Sequence, residues 1–180
     1  MTTQTITLGG GCFWCTEAVF VRVRGVLDVE SGYCNGLQAR QPSYEDVCRG
    51  DTGYNEVVRV QYDPAIISLP DLLTIFCSIH DPTSLNRQGN DVGTQYRSAL
   101  FYKDEEQKAL FENAIERASE HWGGGVVTTL EPLTKFWVAE DYHQDYFDKN
   151  VPNKTGNYRY CQSSTIPKLK KLGLLKDGDQ

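Results

Sequence analysis

Apolar residues recur along this chain with two periods, and the changes between them mark out its elements. Ile6 and Leu8 alternate with threonines over residues 5–9, which predicts a short strand. After Gly9, Gly10 and Gly11 the spacing changes: Cys15, Val19 and Val23 recur every four residues, with Thr16 and Phe20 beside them. That predicts a helix over residues 13–24, stopped by Gly25. Residues 26–33 alternate as a second strand. Residues 34–53 are polar and irregular, with room for one helical turn near Pro42, Ser43 and Tyr44. Residues 56–62 (EVVRVQY) are the clearest strand, closed by the turn signal Asp63-Pro64.

Ser68, with Asp71 three residues on, reads as the N-cap of a helix whose apolar face is Leu72, Phe76 and Ile79. His80-Asp81-Pro82 ends it, residues 84–95 form a glycine-punctuated loop, and residues 96–102 form a strand. Asp104 and Gln107 repeat the capping signature before a long helix striped by Leu110, Ala114, Ala118 and Trp122 and broken at Gly123. Residues 126–130 and 136–138 predict short strands; an aromatic, polar stretch follows, with a weak helix over 167–172. The element order predicts an α/β fold of the two-layer α+β kind. Its mixed sheet would have helices on one side and a ferredoxin-like βαββαβ core. A single domain over residues 1–180 is expected, with its core at about 5–148 and an irregular C-terminal coil from about 149.

Charge and cysteine count narrow the setting. A formal net charge of −6, with no basic cluster beyond Lys168, Lys170 and Lys171, argues against nucleic-acid or membrane-surface roles. The first residues lack the pattern of a signal peptide, and no apolar run approaches a membrane span. Six irregularly spaced cysteines in a chain this long suit a reduced, cytoplasmic setting better than a secreted disulfide framework. No apolar stripe demands a partner, so a monomer is expected.

The candidate chemistry gathers at Cys12. A cysteine where glycines give way to a helix meets unpaired N–H groups and the positive end of the helix dipole, and both favour the nucleophilic thiolate. Cys12 and Cys15 form a C-x-x-C pair, readable as half a zinc site, a thiol–disulfide pair or chance. The other cysteines, Cys34, Cys48, Cys77 and Cys161, are scattered singly, which disfavours structural zinc. On their own residues the neighbours read plainly. Phe13 and Trp14 would be core, Tyr44 and Tyr96 half-buried aromatics, Glu56 a surface carboxylate and Asp91 a turn residue. His80 and His143 would be structural, Glu17 a charge favouring a helix's first turn, and Cys48 and Cys77 packing cysteines.

The combination of blocks changes that balance. Gly11-Cys12-Phe13-Trp14 with Glu17, Gly32-Tyr33, Pro42 to Cys48, Gly53 through Glu56 to Pro64, His80 to Thr83, Gln88 to Ser98 and Glu140 to Tyr146 stand in order over about residues 5–161. Together they resemble the A-type peptide methionine sulfoxide reductases. The resemblance implies reduction of methionine sulfoxide, the S epimer, free or in proteins, with no metal or organic cofactor and with thioredoxin as reductant. It implies Cys12 as nucleophile, passing through a sulfenic acid, and Phe13 and Trp14 as the cage for the substrate methyl. Glu56 is implied as the acid at the sulfoxide oxygen, Tyr44 and Tyr96 as hydroxyl donors, and Asp91 as an ordering group. Cys161 resembles the family's recycling cysteine; Cys15, one helical turn from Cys12, is its rival, and a relay through both is open. Cys34 departs from the family's plainer turn. A C-x-x-C metal module and a thiol–disulfide oxidoreductase are the competing readings.

Overall fold

The computed structural model describes residues 2–176 and 179. Strand β1 (Gln4–Gly10) runs into helix α1 (Phe13–Phe20), followed by β2 (Val26–Cys34), a short α2 (Tyr44–Cys48) and β3 (Asn55–Tyr62). Helix α3 (Leu69–Ile79) leads to the hairpin of β4 (Arg87–Gln88) and β5 (Asp91–Val92), then β6 (Ser98–Tyr102) and the long α4 (Glu105–Trp122). The chain closes with β7 (Thr129–Pro132), β8 (Phe136–Val138), α5 (Tyr146–Asn150) and α6 (Tyr158–Lys171). The six-stranded sheet has the order β7-β6-β1-β3-β2-β8. Its central pairings are antiparallel, and β6 pairs with β7 in parallel, so the sheet is mixed.

Side chains alternate between the two faces of a strand, and that period sorts the core. Ile6, Leu8, Val58, Val60 and Leu100 join Val19, Phe20, Leu72, Phe76 and Phe111 from the helices in the main core. The intervening residues Val57, Ala99 and Phe101, with Cys34, form a thin second cluster covered by Leu133 and Phe136. The helix starts written in the sequence are made as expected: Ser68 accepts from the Asp71 amide at 3.2 Å and Asp104 from that of Gln107 at 2.8 Å. Gly123, at φ +70°, ends α4 in the left-handed region that glycine tolerates.

Four expectations are corrected. α1 ends at Phe20 instead of Arg24, because the Arg22 and Val23 amides bond three residues back and tighten the chain towards Gly25. Tyr96 lies in a 3-10 turn, and its strand starts at Ser98. The irregular C-terminal coil is in large part helix α6, which runs through Pro167. Its buried residues Cys161, Thr165 and Leu169 recur every four and bind the helix to the core, against the penalty of one proline. Cys48 is exposed, so it is no packing cysteine; Cys77 is half-buried.

Glu17 is the fifth. It lies past α1's first turn, 1 % exposed, where Oε2 accepts the Tyr146 amide at 3.3 Å and ties α5 to α1. Oε1 has no partner among the described residues. Burial pushes its carboxyl up to about 7. An acid raised on folding contributes stability below its unfolded value, and that stability is lost as pH rises through the folded one. Glu17→Gln removes the loss. Its unfolding free energy relative to the wild type should therefore grow in the variant's favour by about 3 kcal/mol between about pH 5 and about pH 8, measured by urea denaturation. A difference that stays flat with pH would contradict this.

Candidate active site

The site is built where β1 gives way to α1. Gly11 holds φ +94°, and a Cβ there would meet Gln88 Cγ at 2.7 Å, so glycine is required to turn the chain onto the helix. Cys12 follows as the N-cap, its carbonyl accepting the Cys15 and Thr16 amides at 3.2 and 3.4 Å. The next free amide, that of Phe13, donates to Glu56 Oε2 at 3.2 Å. Glu56 reaches it from β3, where it pairs with Tyr33 of β2 on the helix-facing side of the sheet.

Glu56 is 1 % exposed and Oε1 has no partner among the described residues. Burial dominates the one amide bond and pushes its carboxyl up to about 8, so at neutral pH it carries its proton. Cys12 corrects one expectation. A helix N-terminus favours a thiolate by up to about 2 kcal/mol, whereas burial can shift a thiol by several pH units. In the resting protein burial wins, and the Cys12 thiol is raised well above its ordinary range. Cys15 goes the other way: the hydrogen bond from Cys12 lowers it, assisted by Lys168 and by the Thr165 hydroxyl 3.0 Å away.

Aromatic rings wall the space beside Cys12. Trp14 stacks on Tyr146 with ring centres 3.8 Å apart and planes 8° from parallel. Its indole Nε1 donates to His143 Nδ1 at 2.9 Å. Phe13 packs against Tyr33 and His143, and the Tyr44 ring lies 4.5 Å from His143. Glu140 knits this wall together, accepting the Tyr33 hydroxyl at 3.0 Å and the Tyr44 amide at 3.1 Å. Tyr44 itself opens α2, fixed by a Ser43–Asp46 capping box. His143 is fully buried, and burial lowers it to about 4, so it stays neutral.

The expected residues converge in part. Burial raises the Tyr44 and Tyr96 hydroxyls, and both lie within electrostatic reach of the Glu56 carboxyl, so the two phenols stay protonated around it. Asp91, on β5, accepts the Tyr160 hydroxyl and shares with Cys12 a cavity of about 620 Å³ that His80 and Lys168 also line. Cys161, on the buried face of α6, has its thiol raised by burial to about 12, with Cys15 as a charged neighbour. Cys34 sits across the sheet, away from this group. Reading the sequence missed Glu140, Tyr146 and Tyr160 and assigned His143 to structure alone; the cluster of aromatics after Glu140 was their one signal. Among the described residues, no three or more His, Cys, Asp or Glu converge as metal ligands would.

A cysteine beside a neutral acid, walled by rings and next to a second thiol, offers two-electron sulfur chemistry: the site is that of a thiol-dependent oxidoreductase. The family model for peptide methionine sulfoxide reductase matches residues 4–176, and the chain belongs to that family. A relative from Sulfolobus acidocaldarius, named peptide methionine sulfoxide reductase MsrA, is 51 % identical over 94 % of this chain and 93 % of its own. Reduced Mxr1 from Saccharomyces cerevisiae superposes with a TM-score of 0.79 at 41 % identity, covering 82 % of this chain and 86 % of that one. Mxr1 in complex with Trx2 matches at a TM-score of 0.57 and 29 % identity, over 80 % of this chain and 84 % of its own.

The entry turn gives a direct check. Gly11→Ala forces a Cβ into Gln88 and a left-handed backbone onto alanine, a penalty of about 1–3 kcal/mol. The variant should melt several degrees lower and lose most of its sulfoxide reduction, because Cys12 moves with the turn. Full activity with an unchanged melting temperature would show that the turn does not set the position of Cys12.

Proposed function

We propose that Cys12 attacks the sulfoxide sulfur while Glu56 gives its proton to the sulfoxide oxygen. The sulfoxide S–O bond breaks as the protonated oxygen passes to the Cys12 sulfur and methionine leaves. The proton that Cys12 gives up in attacking restores the one on Glu56, and the product is a sulfenic acid. The observation that carries this reading is the buried Glu56 carboxyl, neutral at physiological pH and bonded to the first amide after Cys12. Attack develops negative charge on oxygen, so a proton donor with a value near ambient pH is the useful kind. Phe13 and Trp14 hold the substrate methyl, Tyr44 and Tyr96 donate to the oxygen, and Asp91 orders its side of the site. The substrate is the S epimer, free or within proteins.

For clearance of the sulfenic acid, the Cys12–Cys15 hydrogen bond favours Cys15 as the first resolving thiol. Cys161, on the buried face of α6 and within electrostatic reach of Cys15, can take the disulfide onward. Thioredoxin then serves as reductant, a partner supported by the Trx2 complex of the yeast relative. The chemistry needs no metal or organic cofactor. Residues 1–180 act as a single, monomeric domain on a ferredoxin-like plan, since the order β6-β1-β3-β2 is that of a split βαβ pair. A cytoplasmic setting suits its free thiols.

The test uses the separated epimers of N-acetyl methionine sulfoxide with dithiothreitol. Consumption of the S epimer alone, abolished in Cys12→Ser, is expected; turnover of neither epimer, or turnover by Cys12→Ser, would defeat the reading. The pH profile follows from the raised acid. The proton on Glu56 is present below about pH 8 and lost above it, so single-turnover methionine release should be level at neutrality and fall above about pH 8. Glu56→Gln should lower it on the order of a hundredfold and abolish that fall. A wild-type rate that climbs steadily past about pH 8 would contradict the acid role.

A further inference from the structure

Helix α6 brings to the two thiols a hydroxyl that the mechanism above does not use. Tyr160 is half-buried, set edge-on to Trp14 at 5.9 Å, and lines the same cavity as Cys12 and Asp91. Its hydroxyl donates to Asp91 Oδ2. A hydroxyl has one proton to give, so its oxygen is left to accept. The donor it faces is Cys15, whose Sγ lies 4.0 Å away. Thr165, one turn further along α6, holds the Cys15 sulfur from 3.0 Å. These contacts form a line from Cys15 Sγ through Tyr160 Oη to the Asp91 carboxylate, ending in the cavity that Cys12 lines.

Resting on the assignment of Cys15 as first resolving thiol, we propose that Tyr160, oriented by Asp91, is a positioning residue that draws the proton from Cys15 as it attacks the Cys12 sulfenic acid. The Cys15 S–H and Cys12 S–O bonds break, and the bond between the two sulfurs forms. The Cys15 proton passes to Tyr160, the Tyr160 proton to Asp91, and Asp91 returns one to the departing hydroxide, which leaves as water. The Cys12 sulfur is reduced by as much as the Cys15 sulfur is oxidised, so no outside oxidant or reductant enters. Reduction of the sulfoxide itself does not involve this line.

Tyr160→Phe keeps the ring and removes the hydroxyl. Reduced protein is mixed with the S epimer of N-acetyl methionine sulfoxide and no reductant, and the released methionine and dimedone-trapped sulfenic acid are followed by mass spectrometry. Methionine release in the first turnover should match the wild type, while the sulfenic acid should live on the order of a hundredfold longer. The Cys12 thiol that lowers Cys15 in the resting protein is lost once Cys12 carries the oxygen, so burial keeps Cys15 protonated in that state. The remaining decay should therefore rise about tenfold per pH unit near neutrality, because only ionised Cys15 then attacks, with a flatter dependence in the wild type. Loss of packing alone would lengthen the lifetime equally at every pH. Decay at the wild-type rate, or slowing that is independent of pH, overturns the proposal. Cys15→Ser run alongside separates the two readings. Wild-type decay in that variant defeats the assignment of Cys15 and the relay with it. Persistence there, with normal decay in Tyr160→Phe, defeats the role of Tyr160 alone.

Discussion

The bond from the Phe13 amide to the buried Glu56 carboxyl is the contact on which the rest depends. It joins β3 to the first turn of α1 and fixes where Cys12 stands relative to a proton. One amide is too little to keep a buried carboxylate charged, and among the described residues Glu56 has no partner on its other oxygen. The fold therefore holds a neutral acid where a simple helix cap would have held an anion. Everything around it preserves that balance: β2 and β3 set the register, Tyr33 seals the sheet side, and the Glu140 contacts keep the aromatic wall closed.

The two sulfurs of the C-x-x-C pair occupy different surroundings for a geometric reason. Cys12 caps the helix and faces a cavity, whereas Cys15, one turn on, points beneath α6 towards Thr165 and Cys161. Burial raises the first thiol, and the first thiol's own proton lowers the second. Reactivity is thus divided between sulfurs that four residues of one helix deliver. Helix α6 is as much a part of this arrangement as the glycine turn.

The sequence made the strands and caps legible because alternation and capping residues act locally. β1, β3, α3 and α4 follow directly from them. The resemblance brought Cys12, Phe13, Trp14, Tyr44, Glu56, Asp91 and Tyr96 forward, and the geometry explains why a glutamate that reads as surface is buried: it faces the helices from the end of β3. The C-terminal third was harder. His143 and Tyr146 come from short helical turns with no period of their own and Tyr160 from the first turn of the unforeseen α6, and packing on Trp14 gives all three a place. α6 stayed hidden because its buried stripe uses Cys161 and Thr165, and because Pro167 reads as a stop. Glu17 was misread for the opposite reason: an acid early in a helix has a good surface explanation, and its burial under α5 is a tertiary fact.

The most direct measurement is the protonation of Glu56 itself, by infrared difference spectroscopy of the resting protein against Glu56→Gln. The account predicts a protonated carboxyl C=O band at neutral pH that is absent from the variant and fades from the wild type as pH rises through about 8. A carboxylate band at neutral pH, assigned to Glu56 by the same difference, would contradict the central claim that burial keeps the acid of this site neutral.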